Sequence, residues 1–291
     1  MTVARAFKFV VLGLMVAASA RSGGLTATHR YLEIHGAKLY TEILGRGPPV
    51  LFLPGGMLSF DSNFAHQRDY FARYRTVIGI DQRGRGHSPD GPWRLSYKLM
   101  ANDTAELIRR LGLGPVDVIG HSDGGDVALL LARDHPELVR RVVISGANLR
   151  SGLTPAEAEA RSRMPAAQLA QKLQQITNSM PKFIRADYSR VSPDGPDHWM
   201  VMLEKCYRMW INPVVIDPAD LKKIRAPVLV IAGDRDFTSI EETVEIYRGL
   251  PHAQLMIVPG TGHGTFVVRS ELLNPVIRDF LDAPDASAGG L

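Results

Sequence analysis

The chain has 291 residues, one cysteine and a formal net charge of +4. That length can bury a full core and suits one large domain, while a lone cysteine rules out an intramolecular disulfide and a Cys-pair zinc site. Lysines and arginines are scattered without a run of five, so nothing calls for nucleic acid or a membrane surface as a partner.

Residues 1–20 read as a secretory signal peptide. Arg5 and Lys8 lead into the apolar stretch 9–17, and Ala18-Ser19-Ala20 supplies a small-residue cleavage site. The mature protein is expected to begin near Arg21 and to be secreted or periplasmic. The stretch is short for a membrane span, and no lipidated cysteine follows, so no stable membrane anchor is expected.

Residues 31–34 and 38–44 suggest a hairpin turning at His35-Gly36. Residues 49–53 form a short apolar run, the pattern of a buried strand, and enter Pro54-Gly55-Gly56-Met57. Residues 76–80 repeat the pattern and run into Asp81-Gln82-Arg83-Gly84-Arg85-Gly86-His87-Ser88. Arg83 is expected to tie that loop down. Phosphate binding by its two arginines is disfavoured, because no Walker or dinucleotide fingerprint accompanies them. A helix is predicted over 98–111.

Val118-Ile119-Gly120-His121-Ser122-Asp123-Gly124-Gly125 then reads as a strand end, a Gly-x-Ser-x-Gly turn and the start of a helix carrying Val127, Leu130 and Leu131. This is the context of a nucleophile elbow, with Ser122 presented at a helix N-terminus. Ordinary Gly and Ser usage yields the bare motif by chance in about one chain in ten of this length. Its weight therefore depends on its company. Asp123 adds a question of its own. Its carboxylate either turns away to accept hydrogen bonds or cap the helix, or faces the pocket and favours cationic substrates such as amino-acid esters. Asp126 could reinforce the latter field or serve as a helix-start carboxylate.

A sixth strand is predicted at 141–145, followed by Ser145-Gly146-Ala147-Asn148. From about 149 to 223 strand patterns vanish. Thr154-Pro155-Ala156-Glu157 marks a helix start, and Pro165, Pro181 and Pro193 punctuate several helices. Five of the ten methionines fall here: Met164, Met180, Met200, Met202 and Met209. Trp199, Leu203, Cys206 and Trp210 share one helix stripe. Packing on the core is the plain reading of that stripe. Trp199, Met202 and Trp210 are also candidates to line an apolar substrate pocket. Residues 227–232 form another buried strand ending in Gly233-Asp234-Arg235-Asp236. Residues 254–258 form the last strand and run into Pro259-Gly260-Thr261-Gly262-His263-Gly264. The histidines show no His-x-x-x-His spacing, so no metal is expected.

A serine at an elbow needs a base and an acid to orient it. Ser122, Asp236 and His263 follow in that order, each at the end of a predicted strand. Together with the 81–88 loop, these motifs resemble the α/β-hydrolase fold superfamily, in its serine esterase and C–C hydrolase branch, over about residues 30–282. The alternation of strands and helices already argues for a parallel sheet with helices on both faces. The resemblance implies an α/β architecture with a mostly parallel eight-stranded sheet and a helical lid between strands six and seven. The core would comprise residues 21–148 and 224–282, the lid 149–223, and a disordered tail 283–291.

In that family the acid follows strand seven in a Gly-x-x-Asp turn. Gly233 to Asp236 matches, which favours Asp236 over Asp234, and the alternative place after strand six holds no carboxylate. The resemblance also implies an oxyanion hole from the backbone N–H groups of Gly56, with Met57 as the alternative, and of Asp123. Pro54 stands where relatives carry histidine, a change that spares a backbone donor. The implied activity is cofactor-free carboxylesterase action on small to medium esters through an acyl-enzyme on Ser122. The same triad could serve C–C bond, amide or lactone hydrolysis, or perhydrolysis. A non-catalytic ligand-binding protein of this fold is the rival outside enzymes. The expected partner is a small-molecule ester, and the oligomeric state is left open.

Overall fold

The structure is a computed structural model and describes residues 26–284 except residue 213. The signal peptide expected at 1–20 and the tail expected at 283–291, apart from residues 283 and 284, therefore lie outside the described residues. The described residues contain eight strands: β1 (Thr28–Ile34), β2 (Ala37–Gly45), β3 (Pro49–Leu53), β4 (Thr76–Ile80), β5 (Val116–His121), β6 (Val139–Ser145), β7 (Val228–Gly233) and β8 (Ala253–Val258). They form one sheet in the order β1-β2-β4-β3-β5-β6-β7-β8. The β1–β2 and β2–β4 pairs are antiparallel and the rest are parallel.

The first hairpin turns where the sequence predicts, with His35 and Gly36 both at positive φ (47° and 75°), as a two-residue turn between twisted strands requires. All of β5 and β7 is buried. Strands covered on both faces are mainly apolar, which is why these segments read as hydrophobic runs. Asp117 interrupts the run in β5. Arg75 offsets its charge at 2.7 Å, and Arg140 approaches the same oxygen.

The helices are α1 (Phe60–Phe71), α2 (Tyr97–Arg110), α3 (Asp123–Asp134), α4 (Pro155–Ser162), α5 (Ala166–Ser179), α6 (Lys182–Val191), α7 (Trp199–Trp210), α8 (Ile240–Gly249), α9 (Thr265–Val268) and α10 (Ser270–Asp282). Alternation along β3 divides the core. Leu51 and Leu53 pack with residues of α2 and α3, whereas Val50 and Phe52 pack with Phe64, Phe266 and Phe280 of α1, α9 and α10. The predicted helix at 98–111 is α2, shifted by one residue. No helix among the described residues is long and apolar enough to cross a membrane.

Two features position the site. The strand order reverses between β3 and β5, and in open α/β sheets the crevice at such a point lies beyond the strands' carboxyl ends. The loops after β3 and β5 are therefore neighbours, with Leu53 paired to Gly120. Between β6 and β7, α4 to α7 form a helical insertion. It opens with Thr154 as N-cap, its hydroxyl accepting the Glu157 N–H, and Pro155 in the first turn.

Candidate active site

Ser122 sits between β5 and α3 at φ 52° and ψ −123°, a backbone conformation rare for any residue but glycine. Its neighbours make this turn possible. A Cβ on Gly120 would lie 2.3 Å from the Gly124 carbonyl oxygen, and one on Gly124 would lie 1.9 Å from that of Leu53. Side chains at either position would push α3 off the sheet. The Ser122 N–H donates to the Ser145 carbonyl (2.8 Å), and its own carbonyl accepts from Gly125 and Asp126.

The loops after β7 and β8 bring Asp236 and His263 together, with Nδ1 of His263 2.8 Å from Asp236 Oδ1. The Asp236 side chain is fully buried, and its Oδ1 also accepts the Thr238 N–H (3.1 Å). Asp234 does other work: exposed at the turn, it accepts the Thr261 N–H at 3.0 Å. The segment after β6 joins His263 to Ser122. Ser145 holds the Ser122 N–H, and Gly146 lies beneath the imidazole, where a Cβ would come within 2.7 Å of His263 Cε1. Asn148 then accepts the Thr238 hydroxyl (2.9 Å), fixing the turn that carries Asp236. The Ser122 hydroxyl makes no hydrogen bond to a described residue. Such catalytic bonds commonly tighten only in the Michaelis complex.

His121, unremarked at the sequence level beyond its place in the motif, is a further support. Its Nε2 lies 2.9 Å from the His263 carbonyl oxygen, and the rings are 4.8 Å apart. Burial, and then His263, lower its pKa to about 3, so it stays neutral around neutral pH.

The loop after β3 is held by the Gly55 N–H donating to Asn63 (2.8 Å) and the Leu58 N–H to the Gly55 carbonyl (3.2 Å). Gly56 abuts the start of α3, where its Cβ would lie 2.8 Å from Asp123 Oδ2. Met57, the alternative donor, is buried at φ 62°. Neither the Gly56 nor the Asp123 N–H finds a backbone acceptor among the described residues.

The Asp123 carboxylate turns inward. Arg85 Nη2 approaches Oδ2 at 3.3 Å, Tyr97 donates to Oδ1 at 3.0 Å, and the Trp210 indole N–H reaches both oxygens at 3.0 and 3.1 Å. Burial, and then Asp123, push the Tyr97 hydroxyl well above its ordinary range, which keeps it a donor. Arg85 is fully buried and also meets Cys206 Sγ at 3.3 Å. Arg83, by contrast, ties its loop down through Asp103 and the His35 carbonyl. Of the three candidate pocket residues, Trp210 stands at the elbow. Trp199 packs on Tyr188 within the insertion and donates to Thr177 (3.0 Å), and buried Met202 lies against Gly84.

Among the described residues, no three His, Cys, Asp or Glu side chains gather as a metal site. A family model described as alpha/beta hydrolase fold matches residues 48–195, and one described as TAP-like protein matches residues 192–290. The chain is 26% identical over 264 residues to an AB hydrolase superfamily protein of Bacillus subtilis, covering 83% of this chain and 94% of that protein. It is 26% identical over 255 residues to a mouse sn-1-specific diacylglycerol lipase, covering 81% of this chain and 79% of the lipase. A meta-cleavage product hydrolase of Pseudomonas fluorescens superposes with a TM-score of 0.70 at 20% identity, covering 87% of this chain and 97% of that one, a likeness of fold.

Proposed function

The chain belongs to the α/β-hydrolase fold family, and on that premise we propose that it is a serine hydrolase acting as a carboxylesterase on small to medium esters. One observation carries the reading: a buried carboxylate, Asp236, holds Nδ1 of His263 at 2.8 Å beside the Ser122 elbow. Ser122 attacks the ester carbonyl while His263 takes its proton. The Gly56 and Asp123 N–H groups stabilise the oxyanion, a contribution for which losing one donor typically costs about 10²–10³ in rate. His263 then protonates the departing alcohol, and water hydrolyses the acyl-enzyme by the same steps in reverse. Asp236 fixes the imidazole tautomer and stabilises the imidazolium. The insertion at 149–223 is the lid over this site. Relatedness to a diacylglycerol lipase supports an ester as substrate.

Initial rates of the purified protein on p-nitrophenyl esters of graded acyl length test the reading. Turnover that disappears in Ser122→Ala is expected. Undiminished turnover in that variant, or none in the wild type, would refute it. We further propose that residues 1–20 direct export. The secreted protein should then begin near Arg21 by mass spectrometry, and an intact Met1 terminus would count against export.

A further inference from the structure

Phe237 is the most exposed large apolar side chain among the described residues, with 74% of its surface accessible. It nonetheless has a defined place. Its neighbours in sequence are anchored, Asp236 on His263 and Thr238 on Asn148, so the turn can only present residue 237 outward. The ring lies on the imidazole of His263, with centroids 4.0 Å apart and planes inclined by 34°. An aromatic ring so placed buries little of itself within the fold, and its apolar surface is available to whatever else reaches His263. A general acid must come within about 2.6–3.2 Å of the atom it protonates. The ester oxygen of the departing alcohol must therefore approach His263, which brings the carbons attached to it near a ring whose centroid is 4.0 Å from that of the imidazole. On the other side of His263 in sequence, α9 adds the exposed Val268, whose Cγ2 lies 4.0 Å from where a Gly264 Cβ would be. Phe237 and Val268 thus place exposed apolar side chains on the segments that adjoin Asp236 and His263.

We propose that Phe237 contacts the substrate and selects esters whose alcohol portion is apolar, aromatic before aliphatic, a reading that rests on the serine-hydrolase function proposed above. The selection acts during acylation, when the alcohol is still attached, so it is read in kcat/KM and not in the hydrolysis of a common acyl-enzyme. Acyl preference belongs to other residues.

The test compares wild type, Phe237→Ala and Phe237→Leu on ethyl, cyclohexyl and benzyl acetate, and on ethyl acetate, butyrate and hexanoate. In Phe237→Ala the benzyl-to-ethyl ratio of kcat/KM for the acetates should fall about tenfold, the range expected when an apolar contact is lost. Cyclohexyl acetate should suffer less than benzyl, and Phe237→Leu should fall between alanine and wild type. Ratios within the acyl series should hold. A parallel loss on all three acetates, an unchanged benzyl-to-ethyl ratio, or a shift in acyl preference overturns the proposal while leaving the hydrolase reading intact. Failure of the hydrolase reading shows itself differently, as absence of turnover of every ester by the wild type, and overturns this proposal with it.

Discussion

Asp123 lends its N–H to the proposed oxyanion hole, and a free carboxylate beside a developing oxyanion would oppose catalysis. Arg85, Tyr97 and Trp210 settle that conflict by occupying both carboxylate oxygens. The side chain therefore serves the architecture of the elbow and has no open oxygen for a cationic substrate. Asp123→Asn should lower kcat/KM alike for a neutral ester and an amino-acid ester of the same alcohol. It should also destabilise the fold by about 3–5 kcal/mol, because buried Arg85 loses its partner. A loss confined to the amino-acid ester would contradict this. In the proposed triad, Ser122→Ala or His263→Ala should reduce kcat by about 10⁴–10⁶ and Asp236→Asn somewhat less. Asp234→Asn should stay within a few fold of wild type, since Asp234 only braces the turn. Steady-state kinetics of the four variants decide it. The elbow and the two loop residues were legible because each is announced locally, by a strand end and the glycines around it. The Asp123 cluster was not, because Arg85 and Trp210 lie 38 and 87 positions away and meet Asp123 only through the fold. Gly146 and Asn148 escaped notice for the same reason. Their segment drew attention only for lacking a carboxylate, and its work is to make room for His263 and to hold Thr238.

At the scale of elements, α7 bridges the insertion and the core. Trp210 at its end binds the elbow, and Lys205 holds both oxygens of Asp90 at 2.7 Å. His198, just before α7, meets the same carboxylate at 2.8 Å. Asp90 lies in the loop after β4, so this one carboxylate ties α7 to the sheet. Asp90→Asn should loosen the insertion. Amide exchange across residues 182–212 should quicken, while β5 and β7 keep their protection. Uniform quickening, or none, would show that α7 is held mainly by its apolar face. Interior parallel strands such as β5 and β7 were legible as mainly apolar runs because both their faces are covered. Helices of the insertion announced themselves by proline starts, whereas α10 carries Pro275 inside it, a residue that sequence reading takes as a stop. The way α7 docks was hidden, since Asp90 looks like any loop aspartate until Lys205 and His198 are brought to it.

At the scale of the molecule, buried titratable groups govern the response to pH. Asp126 is fully buried in α3. One oxygen accepts the Asn148 N–H at 2.7 Å, and the other has no hydrogen-bond partner among the described residues. Burial, then Asp123 and Glu242, push its pKa well above the ordinary carboxylate range. With the folded value raised, its contribution to stability is complete below the unfolded value of about 4 and is lost as pH climbs through the folded one. Asp126→Asn removes that loss. Its Tm relative to wild type should therefore rise between pH 5 and pH 8, by about 2–4 °C for each kcal/mol recovered. Equal differences at both pH values would mean that Asp126 is ionised in the folded protein as in the unfolded chain, its pKa not raised. His121 acts on the acid side. Its folded value of about 3 lies below the unfolded 6.5, so stability falls as pH drops through that interval. The proposed mechanism makes Ser122 the nucleophile of this molecule. Incubation with a fluorophosphonate followed by peptide-mapping mass spectrometry tests it most directly. A single adduct on Ser122 is expected, absent in Ser122→Ala and slow to form in His263→Ala. Labelling that persists undiminished in Ser122→Ala, or a folded wild type that takes no label, would contradict it.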